Sequence, residues 1–268
     1  MPMQEVFTPG RLKEYEQWML LRKLTQNTIS TYMRTLRAVY NRWMPPGTAE
    51  HNPRLFDDVY TGVVSQTKRA LTARQMEQLL EADLSGLSPQ QQAVLAYFLL
   101  MFLLRGMPFI DLAHLRKRDM QDGRITYSRH KTDKPITVRI PREALVLIAK
   151  YADRHSASPY LFPSWQSYRN YQDALRQFNR KLGQVMSRLL PGVRVSSYTA
   201  RHTWATLAFH SGQPVGIISQ ALGHSSLRVT EAYLKPFGNE LVDKANRQLI
   251  ASVRKCKWKN ETEYRAGL

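Results

Sequence analysis

The chain has 268 residues, 43% of them hydrophobic, so it can bury a substantial core, and its length favours two domains over one. Lysine and arginine number 39 against 21 aspartate and glutamate residues, and the net charge of +18 is typical of a protein that binds a phosphate backbone. The single cysteine excludes an internal disulfide framework and a cysteine-rich zinc site, and it is typical of a reducing cytoplasm.

The sequence of the first part of the chain predicts a small helical domain. Apolar residues recur at spacings of three and four between residues 9 and 43, and a Pro-Pro-Gly sequence then ends the pattern. We place this domain at residues 1–68, which carry 9 Lys/Arg and 6 Asp/Glu, a net charge of +3. The remaining +15 lies in residues 69–268, where we expect the stronger contact with phosphates.

The sequence of the second domain predicts long helices and one hairpin. Residues 89–104 form an apolar helix that is too short to cross a bilayer, and we expect no membrane association. Residues 123–129 and 135–140 alternate apolar and polar side chains, which predicts a β-hairpin with Lys131 at its turn. The chain from residue 142 onward is mostly helical. The predicted fold class is therefore mainly α, with a small β-sheet or hairpin in the second domain.

The last third contains the residues whose spacing points to chemistry. Arg201-His202-Thr203 is followed by Leu222-Gly223-His224-Ser225-Ser226 and then by Tyr233. Taken singly, such an arginine is usually a surface charge, such a histidine is usually structural and such a tyrosine usually packs in a core. Together they supply the groups needed to attack a phosphodiester with a tyrosine, and DNA is the predicted substrate.

With Lys131-Thr132 in the hairpin, these sequences resemble the tyrosine recombinases, the phage-integrase family of site-specific DNA recombinases. Residues 201–206 resemble the family's second-arginine box, residues 222–226 resemble the next box, and Tyr233 matches the nucleophile nine residues after His224. The resemblance implies a two-domain, C-shaped DNA clamp. Its parts would be an N-terminal helical core-DNA-binding (SAM-like) domain at residues 1–68 and a catalytic domain at residues 69–268.

Two positions depart from the family pattern. Pro108 stands where the family has its first arginine, three residues before Asp111; we therefore assign that role to Arg105, one helical turn away if the helix continues. Tyr198 stands where the family has histidine, three residues before Arg201. A phenol with a pKa of about 10 is a poor base at neutral pH, so Tyr198 either positions the phosphate only, or the proton of Tyr233 leaves by another route.

The resemblance also implies a mechanism. Tyr233 attacks the scissile phosphate and forms a 3′-phosphotyrosyl bond that stores the energy for resealing, so no ATP, metal or other cofactor is expected. Arg105 and Arg201 would hold the non-bridging oxygens, Lys131 would protonate the leaving 5′-oxygen, and His224 would hydrogen-bond the phosphate.

The expected partner is double-stranded DNA with specific recombination sites, bound by a homotetramer across two sites, with an accessory DNA-bending protein as a further partner to consider. We expect the protein in the bacterial cytoplasm, associated with the nucleoid. Integration, excision and inversion are not separated by the sequence. The alternatives are a type IB topoisomerase-like enzyme and a non-catalytic DNA-binding relative, the second because of Pro108 and Tyr198.

Overall fold

The computed structural model describes residues 3–64, 70–153, 156–231, 243 and 246–253. The chain divides into two compact units, Met1–Thr67 and Lys68–Leu268. Within the described residues, no helix is both long and apolar enough to span a membrane.

The first unit is helical, and its helices begin where the sequence offers caps. They are α1 (Met3–Val6), α2 (Pro9–Leu21) and α3 (Gln26–Trp43). The Thr25 side chain accepts a hydrogen bond from the Thr28 amide, which caps α3, and α3 ends two residues before Pro45. The core of the unit is made of apolar side chains from α2 and α3, from the residue after α1 and from the segment after α3: Phe7, Leu12, Met19, Ile29, Met33, Tyr40, Leu55, Phe56 and Val59.

The second unit is mainly helical. Its helices are α4 (Ala73–Leu80), α5 (Pro89–Leu103), α6 (Phe109–Ala113), α7 (Arg142–Tyr151), α8 (Tyr171–Leu189), α9 (Ser197–His210), α10 (Val215–Leu222) and α11 (Leu227–Glu231), and residues 246–253 are also helical. Short 3-10 turns occupy Lys117–Asp119 and Pro163–Trp165. Eight consecutive side chains of α5, from Val94 to Met101, are buried, because α7, α8 and α9 all pack against this helix.

A small antiparallel sheet lies beside these helices. Its strands are β1 (Met120–Gln121), β2 (Arg124–Ser128) and β3 (Pro135–Arg139), in the order β1-β2-β3. Ile125 and Tyr127 of β2 face the core together with Ile136 and Val138 of β3. The predicted fold class, mainly α with a small sheet, is confirmed. Strand β1 was not predicted, because two residues are too few to show an alternating pattern.

Candidate active site

Helix α9 presents Tyr198 and Arg201 one turn apart. Ser196 precedes the helix in an extended conformation, and its amide donates to Oγ1 of Thr199 at 3.0 Å. The amide of Ser197 donates to Oδ1 of Asn179 at 2.7 Å, which attaches the first turn of α9 to α8. The orientation of the helix, and therefore of both side chains, is set by these contacts.

Arg201 is almost completely buried, with 2% of its surface exposed. Its Nη1 donates to the carbonyl of Gly106 at 2.9 Å, and its Nη2 donates to the carbonyl of Leu222 at 2.6 Å and to Nε2 of His224 at 2.9 Å. Two of these acceptors are backbone carbonyls in separate parts of the chain. Arg201 therefore joins the turn after α5 to the end of α10 and places its charge next to His224.

His224 follows the left-handed residue Gly223 that ends α10. Its Nδ1 lies 2.7 Å from Oγ1 of Thr230, a buried residue of α11. Burial, followed by the positive charges of Arg201, Arg129 and Lys131, lowers the pKa of His224 to about 4. The imidazole is therefore neutral at pH 7 in the absence of a bound anion.

Lys131 lies in the turn between β2 and β3, and its side chain is exposed. The turn is held by hydrogen bonds from the amides of Thr132 and Asp133 to the carbonyl of Arg129, at 3.1 and 2.8 Å. It is attached to α6 by the His130 amide, which donates to Oδ1 of Asp111 at 2.9 Å. Asp111 thus orients the turn that carries Lys131.

The side chains of Asp111, Lys131, Tyr198 and His224 line one cleft of about 250 Å³. Its lining residues come from α6, the β2-β3 turn, α9 and the region of α10 and α11: Pro108, Ile110, Asp111, Arg129, Lys131, Thr132, Tyr198, His224, Ser225 and Val229. Burial raises the pKa of the Asp111 carboxyl, although the His130 amide and the nearby arginines oppose that rise. A cleft with several cationic and hydrogen-bonding groups is suited to a polar, anionic ligand.

The structure corrects the geometry predicted for Arg105. Helix α5 ends at Leu103, and Arg105 adopts a left-handed conformation with φ of 59°, so Arg105 is not one helical turn from Pro108. Its Nη1 lies 3.5 Å from the carbonyl of Thr137 on β3. Among the described residues that line the cleft, Pro108 is included and Arg105 is not.

Of the other predicted site residues, Lys131, Tyr198 and His224 line the cleft, and Arg201 is hydrogen-bonded to His224. Tyr233 lies outside the described residues. The sequence analysis missed Arg129 and Thr230. Arg129 had a detectable signal, because it continues the inward-facing series of Ile125 and Tyr127 at a spacing of two, where a charged residue is unusual.

Comparison with known proteins identifies the family to which this chain belongs. Residues 69–240 match the phage integrase family. The chain belongs to this family. Within it, the chain is 26% identical over 191 residues to tyrosine recombinase XerA of Pyrococcus furiosus, in a match that covers 66% of this chain and 62% of that protein. It is 25% identical over 224 residues to tyrosine recombinase XerC of Bacillus licheniformis, covering 78% of this chain and 70% of that protein.

Solved structures of a transposon integrase and a site-specific recombinase share the fold. The Tn1549 transposon integrase in complex with a circular intermediate DNA has a TM-score of 0.69 at 16% identity, covering 90% of this chain and 85% of that chain. XerH site-specific recombinase bound to its difH substrate has a TM-score of 0.63 at 18% identity, covering 89% and 70%. The family predicted from the sequence boxes is confirmed, and these recombinases and integrases do not favour the topoisomerase alternative.

Proposed function

We propose that this phage integrase family member is a site-specific DNA recombinase that cuts and rejoins duplex DNA through a 3′-phosphotyrosyl intermediate. The observation that carries the proposal is the cleft in which Lys131 and His224 meet, with Arg201 hydrogen-bonded to His224. Three separate sequence boxes supply these residues, and folding brings them to one place. Each has a role that phosphoryl transfer requires.

In the proposed cleavage step, the hydroxyl oxygen of Tyr233 attacks the scissile phosphorus. The bond from phosphorus to the tyrosine oxygen forms, and the bond from phosphorus to the 5′-oxygen breaks. Tyr233 releases one proton to water, and the 5′-oxygen receives one from the ammonium group of Lys131, so charge does not accumulate on the leaving group. Resealing is the reverse reaction and needs no nucleotide cofactor.

Arg201 stabilises the negative charge that develops on the phosphate. Its guanidinium is already fixed by two backbone carbonyls and by His224, so little reorganisation is needed when the phosphate arrives. Burial, followed by the nearby cations, lowers the pKa of His224; a bound phosphate offsets those cations, so the imidazole can gain a second proton and donate a hydrogen bond to the phosphate. Tyr198, which also lines the cleft, contributes its hydroxyl to the phosphate.

The proposed substrate is double-stranded DNA. XerH and the Tn1549 integrase are both described in complex with DNA, and the net charge of +15 on residues 69–268 favours contact with phosphates. We propose that the helical unit, Met1–Thr67, adds contacts that help to clamp the duplex. Exchange between two duplexes requires four protomers on two sites, and an accessory DNA-bending protein would assist their pairing.

Covalent trapping tests this function. The wild-type protein and its Tyr233→Phe variant are incubated with nicked suicide DNA carrying candidate sites from the DNA beside the gene, and the products are separated on denaturing gels. We expect an adduct with the wild-type protein and none with Tyr233→Phe, which should keep its DNA affinity. An adduct that survives in Tyr233→Phe would overturn the assignment of the nucleophile. Tight, specific binding without any wild-type adduct would instead support a non-catalytic relative.

A further inference from the structure

The wall of the cleft lacks an arginine at the position where the family pattern places one. Pro108 lies there as the residue that precedes α6, with φ of −63°, and it lines the cleft. A proline side chain has no hydrogen-bond donor or charge, so it cannot bind a phosphate oxygen. If the cleft binds a phosphate with two guanidinium groups, the second one must come from another part of the chain.

Arg129 supplies a guanidinium in this cleft. It is the residue after β2, only 8% of it is exposed, and it lines the cleft together with Pro108 and His224. Its Nη1 donates to the carbonyl of Gly223 at 2.6 Å. This contact does not use the edge of the guanidinium formed by Nε and Nη2. That edge is one of the two that arginine uses for bidentate binding of phosphate.

The Nε of Arg129 is buried and has no hydrogen-bond partner among the described residues. Buried donors are nearly always paired, because an unpaired one costs about 1–3 kcal/mol. An arginine that served only to bind the end of α10 would account for Nη1 but not for Nε. The unpaired donor therefore indicates a ligand.

The neighbours of Arg129 point to the same conclusion. Oγ1 of Thr132, a hydroxyl that can donate to a phosphate oxygen, is also buried without a partner in the described part of the chain, and Thr132 lines the cleft. Burial lowers the pKa of His224, and the charges of Arg201, Arg129 and Lys131 lower it further, so three cations lie close to this imidazole. Such a concentration of positive charge favours an anion.

We infer that Arg129 binds a non-bridging oxygen of the scissile phosphate and performs the function that the family pattern gives to the arginine replaced by Pro108. This inference rests on the proposed recombinase function. Nη1 keeps its bond to the Gly223 carbonyl, which holds the guanidinium beside His224, and the Nε edge contacts the phosphate. Arg129 and Arg201 then neutralise the phosphate from two sides as its charge rises.

The first test compares strand cleavage on two substrates. On ordinary suicide DNA, Arg129→Ala should cleave about 100-fold more slowly than the wild-type protein or worse, the size of effect seen when one charge-stabilising donor is removed. In the second substrate, a methylphosphonate replaces the scissile phosphate, so one oxygen and its negative charge are absent. There Arg129→Ala should come within about tenfold of the wild-type rate, because that charge no longer needs neutralising.

The second test moves the guanidinium. Adding Pro108→Arg to Arg129→Ala should restore cleavage on ordinary DNA, because an arginine returns to the cleft from the α6 side. The matched control is Arg176→Ala on α8, where the arginine is exposed and ion-paired to Asp173, and it should cleave like the wild-type protein. Thermal melting of each variant separates folding defects from chemical ones.

Three results are decisive. Cleavage by Arg129→Ala at the wild-type rate would overturn the inference while leaving the recombinase function intact. An equal loss on both substrates, with no restoration by Pro108→Arg, would assign Arg129 to structure and also overturn it. Absence of any adduct with the wild-type protein would instead remove the proposed function, and this inference with it.

Discussion

Nη2 of Arg201 lies 2.9 Å from Nε2 of His224, and this contact determines the tautomer of the imidazole. A guanidinium has no acceptor, so Nε2 must accept and the proton must reside on Nδ1. Nδ1 then donates to Oγ1 of Thr230 at 2.7 Å. Both ring nitrogens of His224 are thus engaged, and the orientation of the ring is set before DNA arrives.

The first prediction concerns the charge of His224. We expect its pKa to be about 4 in the free protein, because burial and three nearby cations oppose protonation. Saturating inorganic phosphate should raise this pKa, because an anion in the cleft offsets those cations. Titration of the imidazole by nitrogen-detected NMR measures both values. A free-protein pKa near 6.5 that phosphate leaves unchanged would contradict the prediction.

The same pKa shift affects stability. The pKa is lower in the folded protein than its ordinary value of 6.5, so the unfolded chain binds the proton more tightly. The stability contributed by the neutral imidazole is therefore fully present above pH 6.5 and is lost as the pH falls through 4. We expect His224→Gln to reduce the loss of stability between these two pH values, as measured by denaturant unfolding at each pH.

Thr230 provides the second prediction, as a positioning residue that acts through His224. Thr230→Val has nearly the same shape but no hydroxyl, so Nδ1 of His224 loses its acceptor. We expect cleavage to slow by about tenfold, the value of one ordinary hydrogen bond, with little change in DNA affinity. Thr230→Ser keeps the hydroxyl and should restore the rate. NMR should show a shifted Nδ1 resonance of His224 in the valine variant only, because that nitrogen has lost its acceptor; equal rates in all three proteins would exclude this role.

Gly106 provides the third prediction. Its φ is +68°, and a Cβ there would lie 3.1 Å from Cα of Arg201, a backbone atom that cannot move aside easily. Gly106→Ala should therefore lower the free energy of unfolding by about 1–3 kcal/mol through backbone strain, and it should displace Arg201. Gly183→Ala on α8 is the matched control, because a Cβ there meets nothing within 4 Å.

Gly183→Ala should stabilise the protein by about 0.5–1 kcal/mol, since alanine favours a helix over glycine. Denaturant unfolding measures both variants. The opposite signs expected for the two glycines separate the effect of the Gly106 site from the general effect of adding a methyl group. Equal effects at both positions would show that Arg201 does not depend on close approach of the Gly106 backbone.

The sequence was sufficient for those parts of the fold that depend on local patterns. Alternating residues predicted β2 and β3, and apolar residues at spacings of three and four predicted the helices between residues 9 and 43. The helical turn expected between Arg105 and Pro108 is absent, and no local sequence pattern had indicated where α5 ends. The sequence does not show that α5 stops at Leu103 and that Arg105, like Gly106 after it, adopts a left-handed conformation.

The residues of the candidate site also divide into those that sequence patterns reveal and those that only the packing reveals. Lys131 and Arg201 were found because they belong to boxes with a fixed spacing. Thr230 was missed because its importance lies in a contact with His224 that only the packing of α11 reveals. Arg129 was missed because nine lysines and arginines occupy residues 114–142, and composition does not show which of them is buried.

The last prediction concerns Tyr198, which stands where the family pattern has histidine. Its side chain lines the cleft, and its ring packs edge-on against His202 with the centroids 4.7 Å apart. Tyr198→Phe keeps this packing and removes only the hydroxyl. If the hydroxyl binds the phosphate, the phenylalanine variant should cleave about tenfold more slowly with unchanged melting, as expected for one lost hydrogen bond. Tyr198→Ala should lose the ring contact as well and melt at a lower temperature. Wild-type cleavage by Tyr198→Phe together with slow cleavage by Tyr198→Ala would mean that the residue acts through its ring on His202, and that the phosphate is bound by Arg201, His224 and the groups of the β2-β3 turn alone.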